Sequence, residues 1–542
     1  MPADAGTIEA PTKSVTEQLD ALFAPWSRTD EPGLSVGVAK DGAVIYRRGF
    51  GMASLETAAA VTPKTRMRIG STSKHFTCLL ALLLAEEGKL DIDQPIRTYI
   101  PELTGPGGEP TLRQLMQHRG GSRCYLDIGF IGHGMATPPR GWALEVQVRQ
   151  SGRNFAPGAA MIYNNGGYHL ISIAIERAGG APFEAQLKQR LFDVVGMPDT
   201  ASIPSDNDIT PGVATLHIPG ENGGWRRGLF PSDEVRGEGA IVSTVDDMLR
   251  WMAHLRSCDR FGAAASWAAL TERPRFPDGQ VGAYALGLVV EDYRGRPVVH
   301  HSGGVMGGTA EMLTFPDDGL DIIVLANGAR DANVVRLAQQ VADIVLAGRL
   351  GPEVAPIPTE EFKAALGDYW SPRNRMIYSL VDEGGELKLG MAKSAQGAPV
   401  VRADGGRLVM PSGGIGEVSV RPLDGALEVR FGGETLTCEK LAPADGDAEA
   451  FAAAASGRYF SDDADTVADI EPDGDKLALV LSDGLGKARA PLIALSPRVA
   501  YSRPKGAAAI WRTTISLDVE DGKATGFQLN TPRTRGLVFR RA

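Results

Sequence analysis

At 542 residues the chain is long enough for more than one domain and an ample core. Its formal charge of −10 at pH 7, from 56 Lys and Arg against 66 Asp and Glu, disfavours nucleic acid as a partner. The four cysteines show no pairing or metal spacing, which fits a reducing compartment, and the eight histidines include no H-x-x-x-H pair that would suggest zinc.

The opening segment, Met1 to Pro11, has no basic stretch and no apolar run, so no export signal is expected. The longest apolar run, Cys78 to Ala85, falls far short of the roughly 20 residues that a membrane span takes. A cytoplasmic protein without a membrane partner is the expectation, and the oligomeric state is open, a homodimer included. Ser71-Thr72-Ser73-Lys74 follows the turn residue Gly70 and leads into an apolar run, His75 to Ala85, that reads as a buried helix. Positions three apart share a helix face, so the Lys74 amine is expected one turn from the Ser71 hydroxyl. A serine hydroxyl needs a base within hydrogen-bond reach to act as a nucleophile. A lysine that loses solvation there shifts towards its neutral, basic form, and a helix N-terminus favours developing negative charge. The ordinary alternative is a helix cap beside a solvated lysine.

Further along, His118-Arg119-Gly120 follows a helix-like run, and His118 is expected to be a satisfied structural histidine. Phe155-Ala156-Pro157-Gly158 precedes Tyr163-Asn164-Asn165, the only Y-x-N of the chain. An apolar helix follows through Ile171, Ile173 and Ile175 to Gly179-Gly180. The loop Gly223-Gly224-Trp225-Arg226-Arg227 offers Arg227 as a pocket-lining residue, with a solvated arginine as the commoner outcome. Ser243-Thr244-Val245-Asp246-Asp247 reads as a capping-box-like start for a helix at Met248 to Leu255. Pro297 to Gly304 reads as a strand whose end, His301-Ser302-Gly303, faces the site. A second S-x-x-K, Ser502-Arg503-Pro504-Lys505, has a proline inside and no helical pattern after it, so it reads as a loop.

The pattern changes after the Pro-rich stretch Leu350 to Pro358. Short alternating segments separated by Gly and Asp-Gly turns, such as Glu386-Leu387-Lys388-Leu389 and Ala426-Leu427-Glu428-Val429, suggest antiparallel β modules. The tail also repeats. Gly367-Asp368-Tyr369-Trp370-Ser371 is echoed by Gly457-Arg458-Tyr459-Phe460-Ser461 at an offset of 90 residues, and the same offset pairs Leu387 with Leu477 and Leu389 with Leu479. Two copies are too few for a solenoid. The expected domains are 1–350, 358–442 and 451–542, with the Ala-rich stretch Ala442 to Ala455 as the joint of the last two.

The order S-x-x-K, Y-x-N, H-x-G over roughly residues 33 to 330 resembles the serine β-lactamase and penicillin-binding protein superfamily, in its class C-like branch. The resemblance implies an α/β catalytic domain of the β-lactamase/transpeptidase-like type, an antiparallel sheet flanked by helices plus a helical subdomain. It also implies the roles. Ser71 looks like the acylated nucleophile, Lys74 its base partner, and Tyr163 the tyrosine that shuttles the proton. Asn165 looks like the amide that positions substrate and lysine. Backbone N–H groups of Ser71 and Gly304 would form the oxyanion hole, with Gly303 beside it. His301 stands where a lysine is usual. A neutral imidazole attracts a carboxylate less than an ammonium does, which argues against a β-lactamase or carboxypeptidase. No metal or cofactor is called for.

A catalytic domain of this type followed by two small antiparallel β-barrels resembles the bacterial D-aminopeptidase family. That resemblance implies a loop of the last barrel that reaches the active site, here Ser482 to Lys487. On chemical grounds a carboxylate at Asp483 in that loop is expected to pair with a substrate ammonium. A plain Asp-Gly hairpin is the alternative there. The expected activity is a serine aminopeptidase or amidase acting on short peptides or amides with an N-terminal D-residue or glycine. The alternatives are a carboxylesterase or a β-lactamase/D,D-peptidase-like hydrolase and, in a different class, a non-catalytic protein that binds penicillin or peptidoglycan fragments.

Overall fold

Six antiparallel strands form the sheet on which the site is built. In spatial order they are Val289–Tyr293, Arg296–Val305, Gly308–Phe315, Leu320–Ala326, Leu34–Lys40 and Ala43–Phe50. The computed structural model describes residues 13–542 apart from 221, 354, 392, 394–396, 411–417, 475 and 503–511. The segment Met1 to Pro11 and Lys505 of the second S-x-x-K therefore lie outside the described residues. The two apolar runs, Leu34–Lys40 and Leu320–Ala326, sit side by side in the sheet and are buried almost throughout. Such runs need cover on both faces. On one face, Val15–Phe23 and Val334–Val345 supply it with Leu19, Phe23, Leu337 and Val341. On the other, Val245–Ser257 brings Met248, Leu249 and Trp251 against Ile323 and Leu325, together with the helix Lys74–Glu86. The Thr244 hydroxyl caps the first of these helices by accepting from the Asp247 N–H.

The strand Arg296–Val305 is paired on one side only as far as His300, so one backbone edge of residues 301–305 is left facing a cleft. The turn that carries Ser71, a 3₁₀ segment Gly70–Ser73, lies against that edge. Two glycines allow the approach. A Cβ at Gly303 would stand 1.8 Å from the Ile69 carbonyl oxygen, and one at Gly70 would stand 2.7 Å from the Gly304 nitrogen. The Thr72 hydroxyl ties turn to strand by donating to the His301 carbonyl at 2.9 Å. The helical part, with Tyr125–His133, Trp142–Arg149 and Asn165–Gly179, closes the opposite side.

The tail forms two further β units. The first is a nine-stranded antiparallel sheet whose end strands, Ala398–Pro399 and Val401–Ala403, are consecutive in the chain and joined through the buried Val400. Its edges therefore meet, and the sheet is nearly closed. The second is a closed barrel of eight strands from Gly457–Ser461 to Leu537–Arg541. The repeat seen in the sequence extends to individual hydrogen bonds. The Tyr369 hydroxyl donates to the Ala365 carbonyl at 2.7 Å, and the Tyr459 hydroxyl to the Ala455 carbonyl at 2.6 Å. Gly367 and Gly457, ninety residues apart, both take positive φ, 134° and 151°. A side chain there would run into Lys440 in one copy and Arg541 in the other.

Candidate active site

Lys74 is wholly buried directly behind Ser71. Its Nζ lies 3.0 Å from Ser71 Oγ, 2.9 Å from Asn165 Oδ1 and 2.6 Å from the Glu238 carbonyl oxygen. Burial draws the Lys74 pKa from 10.5 down to about 7, with the Glu238 carboxylate opposing the shift. A neutral amine has two N–H groups and one lone pair. The Asn165 and Glu238 oxygens can only accept, so they take the two N–H groups. The lone pair is left to the Ser71 hydroxyl, which is the arrangement a general base needs. Burial also works against the Glu238 carboxylate, but His169 and Tyr125 hold it below its usual range, so the charge behind Lys74 persists.

Tyr163 and Asn165 flank the start of the helix Asn165–Gly179, where Asn164 is the N-cap. Burial pushes the Tyr163 phenol above its usual range, with the Ser71 hydroxyl opposing. Its hydroxyl makes no well-formed hydrogen bond in the resting site, and Lys74 Nζ sits 4.8 Å from its ring. Tyr163 therefore keeps its proton at neutral pH and can relay one, while Lys74 can take one. His118 is a structural neighbour: its ring packs 4.1 Å from that of Tyr163, and its Nδ1 accepts from the Asn164 N–H at 3.0 Å. His301 is neutral, since burial holds its pKa well below 6.5. The Ser302 carbonyl, 2.5 Å from Nδ1, can only accept, so Nδ1 carries the hydrogen and Nε2 accepts from the Tyr284 hydroxyl at 2.8 Å.

The cleft in front of Ser71 holds about 500 Å³ and is lined by all three units of the chain. Ser71, Tyr163, Asn165, His301 and Gly304 all line it, and Gly303 packs behind the Ser71 turn. Ser71 and Gly304 thus line the same cleft, where a preorganised backbone N–H donor would be worth about 3 kcal/mol. Ser502, by contrast, ends a barrel strand and is buried away from the cleft.

Two expected binding residues lie elsewhere. Arg227 is on an exposed hairpin, where it pairs with Glu56 and does not line the cleft. Asp483 also fails to reach it. The hairpin closes at the Ser482–Lys487 pair, too short to extend inwards. Both carboxylate oxygens of Asp483 are engaged: one lies 2.7 Å from His133 Nδ1, and the other accepts from the Leu485 and Gly486 N–H groups. The barrel does enter the cleft, but through the loop between Lys523–Asn530 and Leu537–Arg541, which presents Pro532 and Arg533. Arg123 clamps that loop by donating to the Arg535 and Gly536 carbonyls while pairing with Asp463 at 2.5 Å. Met391 and Phe431 of the nine-stranded sheet complete the wall, with Leu126, Asp127 and Phe130 of the helix Tyr125–His133. None of these residues sits in a recognisable local motif.

Residues 14–346 match the Beta-lactamase family. The chain belongs to that family. Among curated relatives it is similar to the D-aminopeptidase of Brucella canis, 26% identical over 364 residues, which is 65% of this chain and 66% of that protein. It is also similar to the D-aminopeptidase of Brucella anthropi, 29% identical over 55% of this chain and 57% of that protein. The chain thus matches less than two thirds of the length of these relatives, 66% of the first and 57% of the second. Among solved structures, the octameric penicillin-binding protein homologue from Pyrococcus abyssi superposes with a TM-score of 0.56 at 21% identity, covering 78% of this chain and 99% of that one. A penicillin-binding protein from Bacillus halodurans does so with a TM-score of 0.52 at 20% identity, covering 61% and 100%. These two establish the β-lactamase/transpeptidase-like fold. Among the described residues no helix is long and apolar enough to cross a membrane.

The Lys74 pKa sets a pH dependence. Acylation of Ser71 by an ester without ionisable groups is expected to fall as the pH drops through about 7, because protonation fills the lone pair that receives the serine proton. Glu238→Gln removes the charge that holds the Lys74 pKa up, so the acid limb should move to lower pH. Rate profiles from pH 5 to 9 for both proteins check this, and an acid limb moved upwards would contradict the assignment.

Proposed function

We propose that this protein is a serine hydrolase that works through an acyl-enzyme on Ser71. Its proposed substrates are short peptides or amides with an N-terminal D-residue or glycine. Ser71 attacks the first carbonyl as Lys74 takes its proton. The oxyanion is received by the Ser71 and Gly304 N–H groups. Tyr163 passes a proton to the departing amine, and water then clears the acyl group. The observation that carries the reading is the buried Lys74 amine, whose lone pair is directed at Ser71 by two acceptors. A purely binding module has no use for such an arrangement. The aminopeptidase part draws on the similarity to the D-aminopeptidases and on the uncharged His301, which offers no cation for a substrate carboxylate.

A second reading, a hydrolase for carboxylate-bearing substrates of the β-lactam or D,D-peptide kind, draws on Arg533 in the cleft wall. One panel separates the two: D-alanine and L-alanine p-nitroanilide, a short acyl ester and a chromogenic cephalosporin. The aminopeptidase reading expects the D-alanine anilide to be preferred by kcat/KM. A preference for the cephalosporin would replace it with the second reading, and a preference for the ester would make the protein a carboxylesterase.

A further inference from the structure

An aminopeptidase must hold a free ammonium beside the scissile bond, and that calls for an anion in the cleft. The obvious acids are taken. Glu238 is buried behind Lys74, where one oxygen meets Tyr125 and His169 and the other accepts from the Arg236 N–H. Asp483 is spent on His133 and on its own turn. Among the described residues that line the cleft, Asp127 carries the only carboxylate.

Asp127 sits in the first turn of the helix Tyr125–His133 and is 1% exposed. Its Oδ2 accepts from the Thr531 hydroxyl at 2.5 Å, a contact that ties the helix to the barrel loop. Its Oδ1 is buried and lacks a well-formed hydrogen bond, although the Thr534 hydroxyl faces the carboxylate. A half-satisfied buried carboxylate is unfavourable unless a ligand supplies the missing donor. The wall beside it carries Leu126, Phe130, Phe230 and Val305 together with Arg533. The groups that face the carboxylate are Thr531, Thr534 and Arg533 of the barrel loop, with Cys124 at the start of its own helix. Burial raises its pKa above 3.8, whereas Arg533 and the threonine hydroxyls favour the ionised form.

We propose that Asp127 anchors the primary ammonium of the substrate, so that exopeptidase selectivity resides on the helix Tyr125–His133 and on the Thr531 contact that orients it. The proposal rests on the aminopeptidase reading above. A small cation with three N–H donors fits the site: one bonds to Oδ1, and the other two remain for neighbouring acceptors or water. An N-acylated substrate brings no charge to Oδ1 and adds bulk against that wall.

The test compares D-alanine benzyl ester with benzyl propionate, which differ only in the amino group. In Asp127→Asn the ratio of their kcat/KM values should fall roughly 30-fold or more, the range for losing a hydrogen bond to a charged group. The loss should fall mainly in KM for the amino ester. Asp127→Glu, which keeps the charge but moves it, should lie between. Thermal melting and the mass of the Ser71 acyl adduct show whether each variant is folded. A folded Asp127→Asn protein with the wild-type ratio overturns the proposal. Should that variant not fold, the wild-type enzyme decides alone. The 1/KM of the amino ester should drop as acid protonates Asp127, whereas that of benzyl propionate should not, and parallel profiles overturn the proposal. The underlying reading fails differently: the wild-type enzyme itself would show no preference for the amino ester, and the proposal would fall with it.

Discussion

Ser71→Ala is expected to abolish turnover of every substrate the protein accepts, by at least ~10⁴-fold, and to remove the acyl-enzyme. The residual rate would come from the backbone donors and from binding, which do not need the nucleophile. Ser71 stands on the 3₁₀ turn Gly70–Ser73, held against the strand Arg296–Val305 by Thr72, with Lys74 Nζ 3.0 Å from its hydroxyl. Ser502 shares the S-x-x-K spacing but not the 3₁₀ turn or its place at the cleft. It lies in a strand paired with Thr513, and Ser502→Ala should retain wild-type turnover. Mass spectrometry after trapping with a slowly deacylating substrate places the adduct. An adduct on a peptide other than the one containing Ser71 would overturn the assignment.

Lys74→Met and Tyr163→Phe are each expected to lower kcat by about 10²-fold or more, the lower end for general acid–base groups. Combined, they should cost little more than the worse of the two, because both act on the Ser71 hydroxyl and its proton. Groups that work as a unit are not additive. Both substitutions keep the shape of the buried side chain, so the packing against His118 and Tyr168 is preserved. Lys74→Met should also erase the acid limb near pH 7, a result that loss of packing alone would not produce. Fully additive losses in kcat would mean that the two residues serve separate steps. An acid limb that survives in Lys74→Met would assign the titration to another group.

The candidate catalytic centre was legible because each part is written in a few consecutive residues. A glycine turn followed by an apolar helix places Ser71 over Lys74, and an N-cap asparagine at the start of another helix sets Tyr163 and Asn165. A strand ending in two glycines brings His301 and Gly304 to the same point. Glu238 lies between Gly237 and Gly239 and belongs to none of these motifs. Its part in holding Lys74 depends on a carbonyl that arrives from 164 positions away in the chain, and no local spacing encodes that.

The sequence alone singled out the Ser71 and Lys74 pair proposed as nucleophile and base, the change to β modules after residue 350, and the repeat of those modules. These follow from local periodicity, and the repeat is exact enough for Tyr369 and Tyr459 to make equivalent bonds. Tertiary structure alone decided which tail residues meet the cleft. The choice of the loop bearing Arg533 over the hairpin bearing Asp483 follows from how the barrel docks. That docking is set by Arg123 with Asp463, by Thr531 with Asp127 and by Arg535 with Glu434. Each of these pairs joins residues at least 101 positions apart. Helix and strand periods extend over only a few residues, so the sequence pattern could name the charged groups but could not say which would find each other.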